Sequence, residues 1–151
     1  MDIASISAVV AAFGVIVGVV FAVLQLQDWA KTRKTDLVMR LYSTFDSREF
    51  LEGLTKILTV EIEDFSEYLE KYGWTEASEV FLFFEEVGIL YMMKLVDINL
   101  VSRLLGDPIL MTWEKGKPLV EGFREYFHNP EIFWQFEYLY NDVQKRQQTQ
   151  P

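Results

Sequence analysis

The side chains best placed to do chemistry are two adjacent carboxylates, Glu85 and Glu86, inside the apolar stretch FLFFEEVGILYMMKL. A carboxylate drawn out of water has its pKa raised and can serve as acid, base or metal ligand. Neighbouring residues on a helix point about 100° apart. One of the pair is therefore expected to face solvent and the other to meet Arg103, Arg124 or a lysine of a neighbouring helix. Glu125 and His128 have the E-x-x-H spacing of di-iron bundles, in which both side chains project from one helix face, and Glu121 and Glu137 could add oxygens. A complete site of that kind takes two such segments, and His128 is the only histidine. It precedes Asn129 and Pro130, at an expected helix end, where an imidazole complements the helix dipole. Zinc is a weaker candidate still, since it prefers several His or Cys ligands. The chain has no cysteine, so thiol nucleophiles, disulfides and Cys-based clusters are excluded together. It also lacks G-x-S-x-G, a phosphate-cradling glycine loop and a dinucleotide fingerprint. No catalytic residue, metal or cofactor is expected from these motifs.

The elements that would carry these residues read as helices separated by punctuation, and no alternating strand pattern of useful length occurs. A helix over 47–60 opens at Asp46 or Ser47 and places Phe50, Leu51, Leu54, Ile57 and Leu58 on one stripe. Asp64 and Glu67 have capping-box spacing, and Gly73 stands at the C′ position of that short helix. The segment 75–95 is apolar nearly all round and is expected to be the buried centre of the bundle, with Met92 and Met93 as core. Asp97 should cap a short helix closed by Gly106, after which Asp107 and Pro108 open the next. Asn129 and Pro130 repeat that device before a last helix with Ile132, Phe136, Leu139 and Val143 on its seam. With 12 Phe, 7 Tyr and 4 Trp there is ample material for one aromatic core.

Residues 3–27 form an uncharged run of 25 residues. As a helix this run rises roughly 37 Å, against a hydrocarbon core about 30 Å thick, so a single transmembrane anchor is expected over residues 1–27. A cleaved signal peptide fits less well, because there is no basic n-region and the apolar run is too long. Ser7, Ala11, Gly14, Gly18 and Ala22 lie on one face of that helix, and Gly14 with Gly18 makes a G-x-x-x-G pair, the spacing of a homo-oligomer seam. A pore built on this seam is a weaker alternative, because the run contains no ionisable residue. A basic helical stalk should follow over 28–45, with Trp29 at the interface and Lys31, Arg33 and Lys34 near lipid phosphates. The stalk carries four basic and two acidic side chains, whereas from residue 46 onward there are 10 basic and 20 acidic ones. By the positive-inside rule the N-terminus is outside the plasma membrane and the acidic domain, 46–147, is cytoplasmic; the tail 148–151 should fray. A domain so acidic is repelled by phosphate backbones, which argues against nucleic acid as a partner.

The order of these features resembles a known family. A single N-terminal span, a stalk ending LYSTFDSREF, then FFEEVGILYMMKLVDINLV, Trp113, Arg124 and a late FEYL are similar to a family of prokaryotic membrane-anchored helical proteins known as the domain of unknown function DUF4760. The resemblance implies an all-α cytoplasmic domain and transfers no activity. It directs attention to Phe84, Glu85, Glu86, Gly88, Asp97, Trp113 and Arg124 as a structural or functional cluster, in which Gly88 allows close helix approach and Arg124 meets a glutamate. Two functions remain open at this stage: a non-catalytic scaffold or subunit that binds an unidentified protein partner at the bilayer, and a small-ligand or metal-binding bundle, with or without enzymatic activity, centred on Glu85 or Glu86.

Overall fold

The computed structural model describes residues 3–62 and 64–149, with the side chains of 3–13, 27–34 and 76 excepted. The described residues are helical, without strands: α1 (Ile3–Phe45), α2 (Arg48–Thr59), α3 (Phe65–Tyr72), α4 (Thr75–Met92), α5 (Ile98–Tyr126) and α6 (Trp134–Thr149). Two compact units divide the chain, Met1–Met39 and Arg40–Pro151. The second unit thus begins inside the segment expected to be stalk, because Leu41 is already buried and the Phe45 ring lies 5.3 Å from that of Phe50.

In the first unit, α1 is continuous and its described side chains between 14 and 26 are all exposed. Val15, Ile16, Phe21 and Leu26 are among them. Among the described residues no helix is long and apolar enough to cross a membrane. Side chains 14–26 are about half of the uncharged run; those of Ser7, Ala11, Trp29, Lys31, Arg33 and Lys34 lie outside the described residues.

In the second unit four helices form a ring: α2 lies beside α4, α4 beside α6, α6 beside α5, and α5 beside α2, with α3 laid on α5. α4 and α6 run parallel, as Phe84 stacks on Phe136 and, further along both, Tyr91 donates to Asp142. α5 runs against α6, since Arg124 meets Glu137 while Asn99 meets Arg146. The interior is aromatic: Phe81, Phe84 and Phe136 are fully buried and Trp113 nearly so. Local signals start these helices where expected. The Ser47 hydroxyl accepts from Phe50 N at 3.2 Å, Asp64 Oδ1 accepts from Glu67 N at 2.9 Å, and Gly73 ends α3 at φ 69°.

Three expectations need correction. α5 does not stop at Gly106 or restart at Pro108; it runs unbroken through Pro108 and Pro118. Each proline removes one ladder bond, to the carbonyl of Leu104 or Glu114, and both of those residues are on the exposed flank where water can replace the donor. Meanwhile Val101, Leu105, Ile109, Trp113, Leu119 and Phe123 hold the helix down as one apolar face. α4 is not buried on most sides: Leu82, Ile89 and Met93, which share a face by helical spacing, are exposed. Its neighbours α2 and α6 cover the other faces, and α4 ends at Met92, with Lys94 at φ 58° turning the chain. The last helix starts at Trp134, not beside Pro130, because Asn129 Oδ1 caps Glu131 N in a turn that continues to Phe133. α6 runs to Thr149, whose hydroxyl donates to the carbonyls of Lys145 and Arg146.

Candidate functional site

The cluster around Glu85 is built on the N-terminus of α6. The first amides of any helix have no partner within it and attract an acceptor. For most helices a residue just upstream supplies one. Here the upstream chain arrives in a turn with His128 at φ 54° and Phe133 at φ 56°, an uncommon conformation for a residue with a bulky side chain. Phe133 is held there by its ring, which is buried against Phe81 and Phe123 at centroid distances of 5.3 and 5.7 Å. The acceptor comes instead from α4: Glu85 Oε2 takes the Phe136 N–H at 2.6 Å, and the Gln135 backbone N–H also favours the carboxylate. Burial nevertheless pushes the Glu85 carboxyl above its ordinary value, outweighing those amides and the nearby Arg124. Glu86, one position on, is exposed.

Close approach makes this possible. A Cβ added at Gly88, one turn along α4, would fall on the Gln135 carbonyl, 2.7 Å from its carbon and closer still to its oxygen. Backbone cannot move aside as a side-chain tip does, so only glycine lets α6 settle at this depth. The first turn of α6 is also tied to α5. Arg124 donates through Nε to the Ile132 carbonyl at 2.9 Å and through a terminal nitrogen to Glu137 Oε2 at 2.7 Å. Phe84 stacks on Phe136 at 5.0 Å, and Trp113 meets the same ring edge-on at 5.0 Å. Phe84, Glu85, Gly88, Trp113 and Arg124 therefore converge on residues 132–137. Asp97 stands apart, accepting from Asn99 N at 2.7 Å at the start of α5. Hydrogen bonds from Asn99, its side chain first and then its backbone, hold the Asp97 carboxyl below its ordinary value.

A second contact of the same two helices had no signal in the sequence. Tyr91 Oη donates to Asp142 Oδ2 at 2.8 Å, and burial together with that carboxylate pushes the phenol up to about 12. Both α4 to α6 bonds join residues 51 apart, the mark of two parallel helices in one register. Nothing in the local pattern of α4 points to Gln135, Phe136 or Asp142, because the pairing exists only after the chain has folded back on itself.

Glu125 and His128 are exposed, and the His128 ring has the Tyr126 carbonyl within 3.3 Å. Among the described residues no group of three or more His, Asp or Glu side chains is gathered as it would be around a metal ion. The described members of the small-residue face, Gly14, Gly18 and Ala22, are exposed, and a Cβ added at either glycine would meet nothing within 4 Å.

A four-helix ring in which one helix supplies the anionic cap of another, with its convergent polar groups directed at the backbone of α6, defines a helical bundle domain held together through the start of its last helix. The chain belongs to the family described as Domain of unknown function (DUF4760), which it matches over residues 8–143. No curated protein and no solved structure matches it.

Proposed function

We propose that this protein is a single-pass, membrane-anchored helical module with a non-catalytic role: it holds a protein partner at the inner face of the plasma membrane or serves as a subunit of a membrane assembly. The observation that carries this reading is the apolar surface of α1 between residues 14 and 26, where Val15, Ile16, Phe21 and Leu26 are each more than 60% exposed. Water does not tolerate such a surface along one helix, and lipid does. The uncharged sequence 3–27 supplies the length, and Lys31, Arg33 and Lys34 the cytoplasmic flank. The open face at Gly14, Gly18 and Ala22 suits close packing of two copies within the bilayer. The domain beyond is a recognition body: the carboxylate that could have worked as an acid or base is engaged with the α6 amides.

Crosslinking in native membranes followed by capture of the full chain tests this role. A recurrent protein partner is the expected result. Extraction of the protein by alkaline carbonate, or stoichiometric metal in the purified chain, would overturn it in favour of a peripheral or metal-binding domain.

A further inference from the structure

We propose that the α4–α5 corner of the bundle is a second membrane contact, which lays the domain against an anionic lipid surface. This rests on the membrane-anchored reading above. Met92, Met93, Leu95, Leu100 and Leu104 are all exposed around the turn between these helices, Met93 at 63%. Leu100 and Leu104 share a face of α5 by spacing, and Lys94 and Arg103 stand exposed among the apolar groups. An apolar edge studded with cations is the composition that enters the headgroup region of an anionic bilayer.

Charge is distributed to favour this corner over the rest of the domain. The same end of the bundle receives the end of α6, where Arg146 bonds Asn99 and Lys145 lies 3.7 Å from Asp142. Four cations at this end, Lys94, Arg103, Lys145 and Arg146, outnumber its three carboxylates, Asp97, Asp107 and Asp142, each of which accepts a hydrogen bond, from Asn99, Gln147 and Tyr91 respectively. The opposite end, around α3, carries Glu61, Asp64, Glu67, Glu70 and Glu79 against Lys56 and Lys71, whose ammonium groups both lie over the Tyr72 ring. A field from anionic lipid therefore repels one end of the domain and attracts the other, which orients the corner toward the surface. Lipid is a better occupant than a second copy of the chain. A two-fold contact through this corner would gather Lys94 and Arg103 of both copies, four cations, into one interface.

The absence of cysteine makes the test direct. The full chain carrying Met93→Cys, labelled with an environment-sensitive fluorophore, is reconstituted in neutral phosphatidylcholine vesicles and in vesicles with roughly a third phosphatidylglycerol. Glu67→Cys, at the acidic end, is the control. In the anionic vesicles the label at 93 is expected to shift to the blue and to be quenched by bilayer-embedded spin label several times more than the label at 67. The shift should weaken in high salt and in the Lys94→Glu, Arg103→Glu double variant. A label at 93 that reads water in both vesicles overturns the proposal, as does one desolvated equally in neutral and anionic vesicles yet out of reach of the spin label, which would place a second copy on the corner. Flotation with the vesicles after alkaline wash keeps the two readings apart. Loss of flotation sinks the anchor and this contact together, whereas flotation with a water-exposed label sinks the contact alone.

Discussion

Gly88→Ala is the sharpest probe of how α4 holds α6. The added methyl would stand 2.7 Å from the Gln135 carbonyl carbon, so the first turn of α6 must move outward. Overpacking of this kind costs about 1–3 kcal/mol. The same displacement stretches the 2.6 Å bond from Phe136 N to Glu85, and losing a hydrogen bond to a charged, part-buried acceptor costs about 1.5–3 kcal/mol. Replacing glycine within a helix returns about 1 kcal/mol of propensity. The net expectation is a loss of about 1.5–5 kcal/mol, which lowers the melting temperature by roughly 6–20 °C. Far-UV circular dichroism of the full chain in nanodiscs measures it. Gly106→Ala is the matched control: its added Cβ meets Gln147 Nε2 at 3.6 Å and Val143 Cγ1 at 3.8 Å, ordinary contacts, so that variant should gain up to about 1 kcal/mol. Two substitutions of one type, on helices consecutive in the chain, should thus move the melt in opposite directions. A Gly88→Ala chain that melts at or above the wild-type temperature would refute the close approach of α4 and α6.

Glu85→Gln keeps an oxygen for the Phe136 amide but cannot ionise. Because the folded state raises the Glu85 pKa, its contribution favours the fold below the ordinary carboxylate range and is lost as pH rises through the folded value. The melting temperature of the variant relative to wild type should therefore increase as pH rises above the ordinary carboxylate range, and a flat or falling difference would contradict the burial of this carboxylate. Arg124→Met leaves the Ile132 carbonyl and Glu137 without their partner. Since the ion pair is partly exposed, the expected cost is about 1–2 kcal/mol, with faster hydrogen exchange at residues 129–137 and only partial recovery by Arg124→Lys, which lacks the guanidinium fork. Ser47→Ala removes the cap of α2 and should cost about 1 kcal/mol in thermal unfolding, whereas Ser47→Asp should restore it.

The residues themselves announce the local events. Ser47, Asp64, Gly73 and Asp97 each mark a helix end because capping involves groups only two to four residues apart, so the signal and its partner share one window of sequence. The acidic surplus after residue 45 and the uncharged run at the start are likewise properties of composition. Where tertiary contacts compete with local preference, the same residue types mislead. Gly106, Asp107 and Pro108 look like a break, yet the buried face of α5 carries the helix through them. Asn129 and Pro130 look like a start, yet α6 waits until the chain has turned at Phe133. Nor could the apolar richness of α4 tell its covered faces from the one left open at Leu82, Ile89 and Met93, which depends on where α2 and α6 come to lie. The pairing of Glu85 with Phe136 and of Tyr91 with Asp142 joins groups 51 residues apart. Only the folded chain decides such pairs, since it alone sets which helix stands beside α4 and in what register.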